Sequence, residues 1–165
     1  HPDRRRARDC AVSAGDGRMK RVAIQAQDFD VAGELAALEA LGGGGVASFT
    51  GVVRGGDGLM ALELEHYPAM TQAQVARIVE DAMARWPLLG VSVIHRVGRL
   101  EPGARIVFVG TASRHRTAAL ESCAFLIDWL KSHAPFWKKE HFEGGATAWV
   151  EARAEDEAKA KEWGG

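Results

Sequence analysis

Two lysines flank an aromatic turn in the segment LKSHAPFWKKE, which covers residues 130–140. At roughly 100° per residue, Lys131 falls at the edge of the apolar face of the preceding helical pattern, beside Ile127. A lysine there commonly extends its ammonium group to water; if it is partly desolvated instead, the neutral amine becomes available for proton transfer or nucleophilic attack. Because Pro135 must end the helix, the chain turns and can bring Lys138 back towards Lys131.

A second basic group, SRHR at residues 113–116, follows an apolar strand pattern and opens a helical one. The first turn of a helix carries free N–H groups and a partial positive charge, so acidic side chains normally stabilise it. Arg114, His115 and Arg116 occupy that turn instead, and an external phosphate would satisfy both the side chains and the free N–H groups. The alternative is that these charges are solvated or pair with glutamates elsewhere in the chain.

Two more arginines lie at predicted strand ends, where binding sites are commonly assembled. Arg54 ends a strand before the segment GGDG, and Arg153 follows the last strand. The glycines at 42–45 precede a strand, whereas phosphate-binding glycine loops follow one, so they are interpreted as a structural turn. The sequence predicts no metal site, because its candidate histidines lack the spacing of metal ligands. These candidates are His66, His95, His133 and His141.

Hydrophobic periodicity predicts a fold built from six strands and three helices. The strands are predicted at residues 21–26, 46–54, 59–67, 91–98, 105–113 and 146–153. The helices are predicted at residues 30–41, between a Thr71–Gln74 capping box and Pro87, and at about 115–133. GGDG at 55–58 is predicted to join two strands, and residues 100–104 are predicted as a turn. This order indicates one α+β domain with hairpins rather than regular βαβ units.

The third predicted helix has one broad apolar face. Its members are Leu120, Cys123, Ala124, Ile127 and Leu130. Because Cys123 falls within that face, it is interpreted as a core residue rather than a nucleophile.

Composition and charge limit the classes of function. The chain has 165 residues, of which 47% are hydrophobic and 26% charged, a balance that suits one globular domain. A net charge of −1 argues against recruitment of nucleic acid or of an anionic membrane surface. No apolar run approaches the roughly 20 residues that span a bilayer. Two cysteines without a CxxC motif predict a reducing compartment, most simply the cytoplasm.

The first 18 residues differ from the rest. Residues 1–18 are rich in arginine, lack an apolar core for a signal peptide and carry three aspartates. We interpret them as a disordered extension or an upstream-start artefact, in preference to a basic arm for nucleic acid. Met19 is the more natural start, so the folded domain is predicted at residues 19–165.

Six segments occur in an order that resembles one known family. They are FTGVVR (49–54), LELEHYPAMT (62–71), VIHRVGRLEPGARIVFVG (93–110), SRHR (113–116), LKSHAPFWKKE (130–140) and WVEAR (149–153). Together they resemble the catalytic, large subunit of molybdopterin synthase, from about residue 20 to residue 163. APFWKKE and LEHYPAMT are the most specific of these segments.

The resemblance implies an α/β-hammerhead core with additional antiparallel strands, usually in a homodimer. It also implies a sulfurtransferase that converts cyclic pyranopterin monophosphate into the dithiolene of molybdopterin, a step of molybdenum cofactor biosynthesis. The sulfur arrives on a small ubiquitin-like carrier whose C-terminal Gly-Gly is a thiocarboxylate, and carriers and homodimer form a heterotetramer. No metal or dissociable cofactor is implied for the sulfur transfer.

The resemblance also assigns residues to the site. Lys131 and Lys138 match the family's two active-site lysines, whereas Lys139 is interpreted as a solvated neighbour. His115 and Arg116 match the pocket for the anionic group of the substrate.

Two further matches and one departure complete the resemblance. Arg54 matches the arginine after the FTG strand, and Arg153 matches the arginine of WVEAR, which in such dimers reaches the neighbouring subunit's site. The chain ends in Gly164-Gly165, like the carrier's tail, but its body carries the catalytic-subunit motifs, so this pair is interpreted as unrelated. The alternative function is a non-catalytic module of the same fold that binds pterin or phosphate; the presence of both lysines argues against it.

Overall fold

The computed structural model describes residues 11–13, 17–150 and 162–163. These residues form nine strands, three α-helices and one 3-10 turn at Glu143–Gly145. The strands are β1 (Ala11–Ser13), β2 (Met19–Gln25), β3 (Gly45–Val52), β4 (Leu59–His66), β5 (Leu88–Arg96), β6 (Gly98–Leu100), β7 (Arg105–Ser113), β8 (Phe136–Phe142) and β9 (Thr147–Val150). The helices are α1 (Val31–Glu39), α2 (Pro68–Arg85) and α3 (Arg116–Ser132). None of the described helices is long and apolar enough to cross a membrane.

Two sheets share the strands. The larger sheet has the order β1-β2-β5-β7-β3, and the smaller one has the order β6-β4-β8-β9. Only β2 and β5 pair in parallel among the described strands, and the chain between them supplies α1, β3, β4 and α2. The predicted single α+β domain is confirmed.

Helices cover both faces of the larger sheet, and successive side chains of its central strands point alternately to one face and the other. Val93 of β5 and Val109 of β7 point towards α2 and α3, and belong to one buried cluster with side chains of both helices. Their neighbours Ile94 and Phe108 point the other way, where they pack with Leu38 of α1. Three-layer packing of this kind explains why these strands read as almost continuous apolar runs.

The start of α2 differs from the sequence prediction. The helix begins at Pro68 with Tyr67 as its N-cap, so the predicted Thr71–Gln74 capping box is wrong. Proline suits this first position, because its missing N–H would be unpaired there in any case. Thr71 lies inside the helix and is fully buried.

The GGDG segment does not make a hairpin. It joins two strands, as predicted, but these strands, β3 and β4, belong to different sheets and do not pair with each other. Asp57 has a φ of 54° and Gly56 and Gly58 also have positive φ, which lets the chain reverse direction without pairing its flanks. The segment therefore carries the chain from one sheet to the other.

The buried face of α3 is rotated relative to the predicted one. Leu120 is 62% exposed and Ala124 is exposed, whereas Ser122 is fully buried. The Ser122 hydroxyl donates to the carbonyl of Ala119 in its own helix at 3.2 Å, which satisfies the polar group without an external partner. Cys123 is buried as predicted, and burial raises the pKa of its thiol to about 12. A thiol that stays protonated in this way is a core side chain rather than a nucleophile.

Two strands were not predicted from the pattern, and one lies in the predicted extension. β6 occupies residues 98–100 and β8 follows Pro135 directly. β8 pairs with both β4 and β9, although its sequence FWKKEHF has no regular alternation of apolar and polar residues. β1, at residues 11–13, pairs with β2 and differs from the disorder predicted there. The rest of residues 1–16 lies outside the described residues, so disorder there stays a prediction.

A ring stack joins the two sheets. His95 of β5 and Phe136 of β8 have centroids 3.8 Å apart and planes only 13° apart. His95 is 5% exposed, and its Nδ1 lies 2.8 Å from the carbonyl oxygen of Arg96. Burial lowers the pKa of His95 to about 4, against the opposing effect of that hydrogen bond, and the charges of Lys138 and His66 lower it further. The imidazole is therefore neutral near pH 7.

This buried neutral histidine should make the fold sensitive to acid. The unfolded chain takes up the proton near the ordinary pKa of 6.5, whereas the folded chain does so only near pH 4, so stability falls as the pH drops between these values. Between about pH 7.5 and about pH 5, we expect the wild-type protein to lose up to about 2 kcal/mol more unfolding free energy than His95→Phe. Urea unfolding followed by circular dichroism measures both losses, and equal losses would contradict the prediction.

Candidate functional site

A cavity of about 430 Å³ opens between the larger sheet, α3 and β8. Its polar lining includes Arg54, Lys131 and Lys138, three of the six residues predicted to form the site. Its walls are mostly apolar. The apolar side chains are Phe49, Val52, Val53, Ile106, Val107, Val109, Ile127 and Leu130.

Lys131 reaches the cavity from the last turn of α3. The helix ends where the N–H of His133 donates to the carbonyl of Trp129 at 2.8 Å. A turn follows at once, in which the N–H of Phe136 donates to the carbonyl of Ala134 at 2.8 Å. A cation in the last helical turn is favoured by the helix dipole, so the position costs Lys131 little. Its side chain is exposed and lines the rim together with its neighbours on α3.

Lys138 comes from the opposite side. It lies directly across from Leu64 of β4, which is 2% exposed, so both residues share the face of the smaller sheet that meets the larger one. Lys138 is half-buried, in contrast to the exposed Lys131. The turn at Pro135 thus places two lysines from consecutive elements on one cavity.

Arg54 is positioned by the chain just before it. Val53 is 4% exposed, its N–H donates to the carbonyl of Ala104, and its carbonyl accepts from the N–H of Gly103, both at 2.9 Å. These two bonds tie the end of β3 to the turn before β7. Arg54 follows with an exposed guanidinium at the cavity mouth.

The other predicted site residues lie elsewhere. His115 is the N-cap of α3 and lines a separate depression of about 370 Å³ with Arg18 and Arg114, and Arg116 is the first helical residue. Both His115 and Arg116 are exposed, and neither lines the lysine cavity. Arg153 lies outside the described residues. A substrate-binding role for these three residues stays a prediction.

His95 is a cavity residue that the sequence reasoning did not select. Its spacing from the other histidines bears only on metal binding, whereas the structure places it in the cavity wall beside Lys138. One signal could have found it: a histidine inside the otherwise apolar run VSVIHR is a polar group at a buried position.

The charges of the cavity favour anions. Three cationic side chains line it, and none of its described lining residues is acidic. Apolar walls lower the local dielectric constant and so strengthen the attraction between these cations and a bound negative charge. Within the described ranges, no group of His, Cys, Asp and Glu side chains is arranged to hold a metal ion. The arrangement can bind an anion and stabilise negative charge that develops beside the lysines.

Comparison with known proteins identifies the family of the chain. The family model described as MoaE protein matches residues 24–133. The molybdopterin synthase catalytic subunit of Mesorhizobium japonicum is 54% identical over 146 residues, which cover 86% of this chain and 92% of the relative.

Solved structures agree as well. The molybdopterin biosynthesis MoaE protein of Burkholderia ambifaria is 46% identical with a TM-score of 0.74, covering 87% of this chain and 97% of that one. A complex of subunits 1 and 2 of molybdopterin-converting factor from Helicobacter pylori has a TM-score of 0.69 at 21% identity, covering 80% of this chain and 91% of that one, and supports the fold alone. By sequence match over most of its length and by fold, the chain belongs to the MoaE protein family.

Proposed function

We propose that this chain is the catalytic subunit of a molybdopterin synthase. It transfers sulfur from the thiocarboxylated Gly-Gly terminus of a small ubiquitin-like carrier to cyclic pyranopterin monophosphate, and so acts as a sulfurtransferase. The observation that carries the proposal is the meeting of Arg54, Lys131 and Lys138 at one cavity without an acidic lining residue. Its cytoplasmic location stays a prediction.

The charges of the two reactants explain why such a cavity suits this reaction. A thiocarboxylate and a cyclic phosphate are both anions, so they repel each other when they approach. Preorganised cations in a partly desolvated site reduce that repulsion and need little rearrangement during the reaction. The exposed Arg54 and Lys131 meet the incoming groups at the mouth, and the half-buried Lys138 acts deeper in the cavity.

The lysines have a second role in the proposal. Attack of the carrier's sulfur on the substrate forms a thioester, and water then cleaves its acyl–sulfur bond to release the carrier as a carboxylate. Both steps build negative charge on oxygen or sulfur. An ammonium group beside that charge stabilises it and can deliver a proton. Cys123 takes no part in this scheme, because burial keeps its thiol protonated.

We propose that the chain works as a homodimer within a heterotetramer that includes the carrier. His115 and Arg116 lie outside the lysine cavity of their own chain, so a second copy is the simplest source of these cations at a shared site. Arg153 is proposed to act in the same way.

Reconstitution tests the function directly. Purified protein, thiocarboxylated carrier and cyclic pyranopterin monophosphate should yield the dithiolene product, detected after oxidation by its fluorescence. The carrier with an ordinary C-terminal carboxylate is the control and should yield none. Binding of the substrate without any product would instead favour the non-catalytic pterin-binding or phosphate-binding module.

Removal of the Lys131 side chain tests the role of this lysine in the chemistry. Lys131→Ala should lower kcat by at least about a hundredfold, since one preorganised charge contributes that much to similar sites, while leaving dimerisation intact. Lys139→Ala is the matched control, because Lys139 faces the opposite side of β8 and lies 5.5 Å from the ring of Trp149. Turnover assays and sedimentation measure the two effects; near-normal turnover of Lys131→Ala would show that its assigned role is wrong.

The basic cluster at the start of α3, residues 114–116, is tested by separate measurements of substrate binding and carrier binding. Arg116→Ala should weaken substrate binding about tenfold, the typical effect of one lost charge-assisted hydrogen bond, and leave carrier binding nearly unchanged. Arg77→Ala is the control, as an exposed arginine of α2 with no assigned substrate contact. Calorimetric titration of the wild type and of both variants with each ligand gives the six dissociation constants. An equal loss for substrate and carrier in Arg116→Ala would argue against an anion-binding role.

A further inference from the structure

The ring of Phe136 has two histidine neighbours of unequal closeness. The ring of His95 lies almost parallel to it at 3.8 Å between centroids, whereas that of His66 lies at 6.2 Å with planes 29° apart. Phe136 also packs against the small inter-sheet cluster that contains Leu64 and Val53. Its closest aromatic contact is therefore with the larger sheet rather than with its own.

His95 is a rigid support for that contact. It lies in β5, which is paired on both sides, with Ile24 of β2 opposite it in one direction and Val107 of β7 in the other. A carbonyl can only accept a hydrogen bond, so the 2.8 Å contact with the Arg96 carbonyl requires a proton on Nδ1 of His95. This bond fixes the ring orientation, and in the neutral ring it leaves the lone pair on Nε2.

Phe136 and Lys138 are linked through the strand. They are two residues apart in β8, so their side chains leave the same face, opposite His66 and Leu64 of β4. That face meets the larger sheet, and both His95 and Lys138 line the cavity there. A change in the seating of Phe136 would therefore shift or tilt the strand that carries Lys138.

We propose that His95 is a positioning residue for Lys138: its ring, carried by β5, stacks on Phe136 and so presents Lys138 to the cavity shared with Lys131. The neutral state of the imidazole suits this task, because a charged ring would repel the neighbouring ammonium group. The kinetic part of the inference rests on the proposed function, whereas the placement of Lys138 does not.

Two substitutions separate the stack from the hydrogen bond. His95→Leu removes both, whereas His95→Phe keeps a flat ring for the stack and removes only the hydrogen bond. We expect kcat of His95→Leu to fall about tenfold with KM changed less than about twofold, because a displaced catalytic group affects the chemical step rather than ground-state binding. His95→Phe should restore kcat to within about threefold of wild type. His141→Leu is the matched control, since His141 lies on the opposite face of β8 and contacts Glu63 at 3.2 Å.

A labelling measurement tests the placement without any turnover. The folded protein is treated briefly with acetic anhydride, and the acetylation rate of each lysine is determined by mass spectrometry. In His95→Leu the rate at Lys138 should rise at least about threefold, because release of the half-buried amine exposes it to reagent, while the rate at Lys131 stays constant. His95→Phe and His141→Leu should both label like wild type.

The possible outcomes are distinct. If His95→Leu loses thermal stability but keeps wild-type kcat and wild-type labelling of Lys138, His95 is a structural residue only and the inference is wrong. A His95→Phe variant as impaired as His95→Leu in both readouts would also overturn it, because the stack alone would then not hold Lys138. Absence of turnover in the wild-type protein would reject the proposed function, while the labelling pattern would still decide the placement.

Discussion

The stack of His95 on Phe136, together with the inter-sheet cluster around Leu64 and Val53, holds the smaller sheet beside the cavity. β8 has charged residues at three consecutive positions, 138–140, so it has little apolar area with which to attach itself to the rest of the fold. An aromatic ring at its first position compensates, because it packs on a strand that is hydrogen-bonded along both edges. Packing of this half-buried ring contributes to a defined place for Lys138, since strand geometry fixes the face that Lys138 shares with Phe136.

The same region holds three cations at a low cost of desolvation. Full burial of an ammonium or guanidinium group costs several kcal/mol unless a partner compensates, yet the cavity carries three cations. Arg54 and Lys131 remain exposed at the mouth and keep most of their hydration, and Lys138 is only half-buried. The nearest buried titratable group, His95, is neutral near pH 7, so it adds no further positive charge. The cavity therefore favours anions without a large cost to folding.

The sequence predicts an element correctly where the pattern of apolar and polar residues along that element alone decides its conformation. β7 was predicted with its observed bounds, because a strand covered on both faces reads as an apolar run. The rules failed where tertiary contacts overrode them. The GGDG segment resembles a hairpin turn, but its flanking strands pair with other partners. The pattern does not predict β8, because its lysines interrupt the alternation of apolar and polar residues. The predicted apolar face of α3 is rotated from the observed one, because Ser122 can be buried when its hydroxyl donates to a carbonyl of its own helix.

Sequence by itself determined the types of cation in the site and the turn at Pro135 that folds Lys138 back, because both depend on residues close together in the chain. It also determined the family, through motifs spread over the domain. Only the tertiary structure decided that Arg54 joins the two lysines while His115 and Arg116 do not, and that His95 also lines their cavity. These relations depend on how strands from different parts of the chain pair and how the two sheets pack, which local periodicity does not encode.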